Sequence, residues 1–166
     1  MHVSDMPRIA NGRLQLYDVQ QSALFVSESV ALQQLAKITG GTEGAVALPL
    51  LKQQSATMAA LVNGSLWDDV TGIYRQRDAS GNASRGFSPV LSPTSFYPMI
   101  AGIPSAAQAE RMVADHLTNV SEFCVDPGVE FQSETSVQGA CPYAIPSISR
   151  SDPNFWDNTY WRGRIW

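Results

Sequence analysis

Two long stretches of helical periodicity, separated by Gly40 and Gly41, limit what this chain can fold into more than any other feature. Met1 to Arg13 reads as an irregular lead-in that ends on the turn signal Asn11-Gly12. Leu16, Val19, Ala23, Val26 and Val30 then recur at spacings of three and four, which places them on one helix face. Tyr17, Leu24, Ala31, Leu35 and Ile38 make a second face beside it, so the helix is expected to be buried on more than one side. The paired glycines end it. A second helix is expected from near Gly44 to Asn63, with Leu48, Leu51, Met58, Leu61 and Val62 apolar and Gly64 as its stop. Pro49 belongs near its first turn or kinks it, because proline lacks the N–H and clashes with the preceding turn. Two helices joined by so short a turn lie antiparallel.

From Leu66 to Arg77 the helical period is lost. Asp68-Asp69 and Thr71-Gly72 form a turn between Leu66-Trp67 and Ile73-Tyr74, which predicts a short hairpin or extended pair. Ala79 to Ser88 is a polar loop, and Pro89 and Pro93 bracket an extended piece. Thr94 to Ala101 can form a short helix ended by Gly102. Ser105-Ala106-Ala107-Gln108 is a capping box, and Ala109, Met112, Val113 and Leu117 give the buried face of the helix it opens, which ends near Asn119. Ser121 to Ala140 is loop-like. Pro142 to Ile148 is extended, since each proline biases its predecessor away from helix. A last helix begins at about Tyr160.

The chain's 166 residues allow one domain with a real core. A net charge of −4 and the lack of a basic cluster argue against a nucleic-acid partner held through phosphates. No apolar run approaches the roughly 20 residues that span a bilayer. Met1 to Pro7 has no apolar core after a basic start and does not read as a signal peptide. Cys124 and Cys141 close a loop rich in Gly, Ser and Glu. A disulfide there would stabilise by about 3 kcal/mol; two unpaired thiols are the other reading. Asn-x-Ser triplets stand at Asn63, Asn82 and Asn119, acceptors for glycosylation only in a secretory protein. The compartment stays open.

Five of the fifteen aromatics fall in the last fifteen residues, from Asp152 to Trp166. Between them sit a carboxylate, amides and two guanidinium groups. Flat apolar faces beside hydrogen-bonding planes suit a sugar, which offers C–H faces and a rim of hydroxyls. Gly163 beside Arg162 allows close backbone approach to a ligand. A hydrophobic anchor built from the same rings is the competing reading.

This stretch resembles glycoside hydrolase family 63 and its mannosylglycerate-hydrolase-like relatives. The resemblance rests on Tyr160-Trp161-Arg162-Gly163-Arg164-Ile165-Trp166, preceded by Pro146 to Asn158. Leu66 to Tyr74 is similar to the family's hairpin, and Ser92 to Gly102 to its proline-centred segment. The three motifs occur in the family's order, and the resemblance runs from about Leu14 to Trp166. It implies an all-α fold, part of an (α/α)6 toroid of antiparallel helix pairs with a short β-hairpin and long site-forming loops. A complete toroid has six helix pairs, and the chain has room for about four or five helices. Residues 1–166 are therefore expected to be a single incomplete part of a glycosidase catalytic domain, with the remainder of the parent polypeptide as its partner.

The resemblance further implies an inverting α-glycosidase, of the α-glucosidase or mannosylglycerate-hydrolase kind, acting on an oligosaccharide or glycoside. In such an enzyme one carboxylic acid protonates the leaving oxygen and a carboxylate activates water. The family's acid should precede the first long helix and its base should follow the Trp-Arg-Gly string, so neither catalytic group lies in this chain and no hydrolysis is expected from it alone. Tyr160, Trp161, Arg162 and Gly163 match positions lining the sugar pocket, with Asp157 and Asn158 nearby and Phe96 bordering the cavity. Arg164 departs from the pattern, since many relatives have proline there.

Read without the resemblance, Asp157 is the best carboxylate for glycosidic chemistry, although a capping or orienting role is preferred for it. Asp152, Asp68 and Asp69 read as turn residues. His116 sits on a helix beside apolar residues and is expected at the surface or partly packed. No metal set, serine triad or phosphate loop can be assembled, and no cofactor is expected. Two rivals remain: a non-catalytic carbohydrate-binding module using the same aromatics, and a trehalase-like or debranching-type toroid enzyme.

Overall fold

The computed structural model describes residues 9–10, 13–80, 86–124, 145–153 and 155. A short ladder pairs β1 (Ile9–Ala10) with β2 (Arg13–Leu14). β3 (Leu16–Tyr17) follows, and then α1 (Val19–Thr39) and α2 (Gly41–Ser65). β4 (Trp67–Asp68) and β5 (Ile73–Tyr74) form the expected hairpin, in the register Trp67↔Tyr74 and Asp68↔Ile73. β6 (Arg77–Asp78) returns to pair with β3. A 3₁₀ turn over Pro93–Phe96 runs into α3 (Tyr97–Ile100). α4 (Ala106–Arg111) continues directly as a π-helical segment over Met112–Leu117.

The first helix starts later than periodicity suggests. Asp18, in extended conformation, caps it: its Oδ1 accepts from the Gln21 amide at 2.7 Å. Leu16 and Tyr17, expected on the helix, instead pair with Asp78 and Arg77 in the β3–β6 ladder. The Gln76 side chain donates to Asp18 Oδ2 at 3.0 Å, tying that ladder to the helix start.

Val19, Ala23, Val26 and Ser29 form the buried stripe of α1. The second face does not follow the expectation of burial on two sides. Tyr17, Leu35 and Ile38 are exposed, Ile38 by 80%. Their spacing is helical, but no described element covers them.

Gly40 and Gly41 take φ of 61° and 72°, a region open mainly to glycine, and this lets α2 fold back along α1. The helices approach closely at the next turn: a Cβ on Gly44 would lie 2.6 Å from the Ala36 carbonyl oxygen. Further along, Gln33 Nε2 donates to Leu51 O and to Ser55 Oγ across the pair. Pro49 lies inside α2 rather than in its first turn, and the helix continues through it to Ser65, beyond the expected stop at Gly64.

The main core forms at one end of this pair. Val19 at the start of α1 and Val62 near the end of α2 meet Leu66, Ile73, Tyr74 and Met112, with Trp67, Leu91, Phe96 and Met99 packed around them. The hairpin, the 3₁₀ turn and the π segment are all anchored there. A second, smaller cluster joins Ile148 and Phe155 to Val90.

Candidate functional site

The hairpin is organised by one carboxylate. Asp68 is 7% exposed, and its Oδ1 accepts from the amides of Val70 (3.1 Å) and Thr71 (3.5 Å). Its Oδ2 accepts from Thr71 Oγ1 at 2.8 Å and Arg75 Nη1 at 2.9 Å. Burial alone would raise its pKa, but the bonds from Thr71, Arg75 and Val70 outweigh burial and hold it below the usual carboxylate range. A carboxylate so committed orders a turn; it has no free lone pair to activate water. Arg75 is held in turn by the Ser88 carbonyl, which accepts from Nε at 3.0 Å and Nη2 at 2.6 Å.

Asp69 faces outward, with its side chain 91% exposed, and accepts from Trp67 Nε1 at 3.3 Å. Both residues therefore act as turn residues, as their spacing suggested. Arg111 lies over the same turn, 5.9 Å from the Trp67 ring centre, and donates to the Asp69 carbonyl at 3.1 Å. Gly72 makes room for it: φ is +76°, and a Cβ there would lie 2.7 Å from Arg111 Nη2. Trp67 meets Tyr74 edge to face at 5.0 Å. The buried Tyr74 hydroxyl donates to Asn63 Oδ1 at 2.8 Å, and desolvation pushes its pKa up to about 12.

His116 corrects an expectation. It is 5% exposed, more deeply buried than the surface or partly packed side chain expected. The helix widens to π geometry over Met112–Leu117, and Met112 and His116 are its two buried residues. The imidazole bridges the Thr71 carbonyl, 2.8 Å from Nε2, and Glu122 Oε2, 2.6 Å from Nδ1.

Phe96 is half-buried against the core and meets Phe123 edge to face at 5.1 Å. Asp157, Asn158, Tyr160, Trp161, Arg162 and Gly163 lie outside the described residues. The segment leading into them is described, and it is pinned from two sides. The Ser149 amide donates to Leu91 O at 2.9 Å, and the Arg150 amide donates to Glu122 O at 3.0 Å. Asp152 is a turn residue, its carbonyl accepting from the Phe155 amide at 2.9 Å. Two of the motif segments are thus neighbours, since Ile73 and Phe96 share one core, and the Ser149 amide in the segment that leads towards the third is held by Leu91, just before the 3₁₀ turn.

Sequence reasoning missed two polar tethers. The Asp68–Arg75 pair had a usable signal. With Asp68 opposite Ile73, Arg75 is its diagonal neighbour on the same face of the ladder. The His116–Glu122 bridge had none, because the π turn that brings them together leaves no trace in the hydrophobic period. Cys124 is buried and disulfide-bonded, while Cys141 lies outside the described residues. Among the described residues no cluster of three or more His, Cys, Asp or Glu side chains could hold a metal ion. Among them, too, no helix is long and apolar enough to cross a membrane.

Comparison with solved structures finds the same fold in larger proteins. An uncharacterized conserved protein from Thermus thermophilus matches with a TM-score of 0.65 at 19% identity, over 91% of this chain and 31% of that one. A GH63 mannosylglycerate hydrolase from the same organism, in complex with glucose, matches with a TM-score of 0.61 at 20% identity, over 89% of this chain and 30% of that one. The neutral trehalase Nth1 from Saccharomyces cerevisiae matches at 0.58 and 13% identity, over 82% of this chain and 22% of that one. This chain thus spans less than a third of the length of each. No curated protein sequence matches it significantly. The family model of the mannosylglycerate hydrolase MGH1-like glycoside hydrolase domain matches residues 2–166, and the chain belongs to that family.

Proposed function

We propose that this chain is one part of a glycosidase catalytic domain, and that it supplies sugar-positioning groups to an inverting α-glycosidase. The observation that carries the reading is the family match over residues 2–166, which includes the aromatic string at the end. In this reading Tyr160 and Trp161 stack on C–H faces of the sugar. The planar Arg162 fork donates to hydroxyls, and Gly163 lets the backbone come close. Asp157 and Asn158 accept from and donate to the sugar rim, and Phe96 borders the cavity. The acid and base come from parent segments outside residues 1–166, and the remaining helix pairs of the toroid come from there as well. The substrate favoured is an α-glycoside of the mannosylglycerate or α-glucoside kind. The fold likeness to a trehalase keeps an α-linked disaccharide as the second reading.

The test uses the longer polypeptide that carries this chain. Trp161→Ala and Arg162→Ala are assayed on mannosylglycerate, trehalose and α-glucosides, with circular dichroism as the check on folding. A loss of kcat/KM of about tenfold or more for the preferred substrate, corresponding to about 1.4 kcal/mol or more, is the expected result. Unchanged turnover and affinity in both folded variants would remove the assigned roles.

A further inference from the structure

One turn, residues 119–124, holds both the chain that leads towards the aromatic string and the ring of Phe96. The Glu122 carbonyl accepts from the Arg150 amide at 3.0 Å, and the Val120 carbonyl accepts from Arg150 Nη1 at 3.5 Å. Arg150 belongs to the stretch that runs into Asp157 and the string. The next residue of the turn, Phe123, is buried and stands edge to face against Phe96 at 5.1 Å. The Asn119 carbonyl closes the turn, accepting from the amides of Glu122 and Cys124 at 2.9 and 3.0 Å. A shift of Glu122 would therefore carry the Arg150 anchor and Phe123 with it.

His116 joins that turn to the hairpin. Its Nδ1 lies 2.6 Å from Glu122 Oε2 and its Nε2 lies 2.8 Å from the Thr71 carbonyl. Thr71 is itself fixed, its hydroxyl donating to Asp68 Oδ2 at 2.8 Å. The two side chains of the pair are only 6% and 17% exposed, so water screens the contact little. Apolar packing of similar volume is commonly as stable as a buried ion pair. What this pair adds is direction, because both ring nitrogens are engaged and the ring has one orientation. Glu122 faces the imidazole from the turn and Asp115 from its own helix, while the hairpin faces it with a carbonyl. These groups favour the imidazolium, which donates at both nitrogens; the neutral ring donates at only one.

We propose, on the sugar-positioning role given above to the string and to Phe96, that His116 is a positioning residue for sugar binding. By tying Glu122 to Thr71 it sets where the 119–124 turn holds Arg150 and Phe123, and through them the approach to the string and the Phe96 ring. His116 itself touches no substrate. The bridge is complete below about pH 6.5 and loses one of its two bonds as pH rises through the raised folded value. Sugar affinity falls with it.

The longer polypeptide that carries this chain is assayed on mannosylglycerate, trehalose and α-glucosides. KM and kcat for the substrate it cleaves best are followed from mildly acidic to alkaline buffer, with circular dichroism as the check on folding. In acidic buffer His116→Gln should raise KM about threefold to tenfold and leave kcat within about twofold. Wild type should approach His116→Gln as the solution becomes alkaline. Glu122→Gln, which keeps the shape of the side chain, should bring the rise in KM to lower pH. Joined to Trp161→Ala, His116→Gln should raise KM by less than the product of the two single effects, since both act on one contact. Should His116→Gln fail to fold, Glu122→Gln and the wild-type profile decide. A KM that follows wild type at every pH in the folded variants overturns the positioning role, and so do effects that multiply in the double variant. An unchanged KM in Trp161→Ala alone marks the other failure, that of the string as a sugar site, and removes the ground of the proposal.

Discussion

His116 Nδ1 lies 2.6 Å from Glu122 Oε2, and its Nε2 lies 2.8 Å from the Thr71 carbonyl. A carbonyl and a carboxylate both accept, so the pair of contacts is best satisfied by the imidazolium. Burial works against the charged ring. The bonds to Glu122 and Thr71, with the charges of Glu122 and Asp115, outweigh it and hold the pKa above its ordinary 6.5. A raised folded pKa gives a contribution that is full below about pH 6.5 and lost as pH rises through the folded value. His116→Gln is expected to cost about 1–3 kcal/mol in mildly acidic buffer, and less as the solution becomes alkaline. Thermal unfolding of both proteins across that range is the check. A stability gap that does not change with pH would rule out the charged bridge.

Asp68 has the opposite sign. Its pKa is depressed, so its contribution is present above about pH 3.9 and lost as pH falls through the folded value. Asp68→Ala strands Arg75, whose side chain is only 16% exposed, and is expected to cost about 3 kcal/mol or more. Asp68→Asn keeps one acceptor oxygen and is expected to lose less, about 1.5–3 kcal/mol. Urea unfolding in a pH series should show wild type approaching Asp68→Asn as the solution becomes acid.

Gly44→Ala tests the close approach of the two long helices. Helix propensity alone would favour alanine by about 1 kcal/mol. The new methyl would meet the Ala36 carbonyl at 2.6 Å, and backbone cannot swing aside as a side-chain tip can. Overpacking of about 1–3 kcal/mol should win. A lower urea midpoint is the expected result, and a higher one would show that the pair separates freely.

Phe96 can be asked to separate packing from substrate contact. Phe96→Ala removes a ring that packs on the core and on Phe123, and is expected to cost about 3–5 kcal/mol. Phe96→Leu keeps most of the volume and should lose no more than about 1.5 kcal/mol. In the longer polypeptide, a raised KM in the folded Phe96→Leu variant supports the cavity-border role. An unchanged KM assigns the ring to the core alone.

The helices, the hairpin and the Ser105–Gln108 box were legible because each rests on short-range rules. The box is present in full: Ser105 Oγ accepts from the Gln108 amide while Gln108 Oε1 accepts from the Ser105 amide. Leu16 and Tyr17 were misassigned because they continue the helical period, yet they precede Asp18, whose carboxylate stops it. Sequence alone could have favoured the cap over the period there. Tyr17, Leu35 and Ile38 show the limit from the other side, since apolar spacing identifies a face but not what covers it. His116 was illegible for another reason. Its two partners are 45 and six residues away, and a change of helix type sets its direction. At the candidate site, the aromatic string was legible as a motif, and the anchors that deliver the chain to it, Ser149 and Arg150, were not.

The helix pair is bonded unevenly along its length. Val19 and Val62 are sealed under the hairpin and the π segment, whereas Ile38 and Val46, beside the glycine turn, stand in water. Opening free energy should therefore climb from the Gly40 tip towards the sealed end. Amide protons around Lys37 and Glu43 are expected to trade with deuterium early, and those near Val26 and Val62 late. The pair would fray like a zip from its free tip, while the end beneath the hairpin and the π segment keeps its shape.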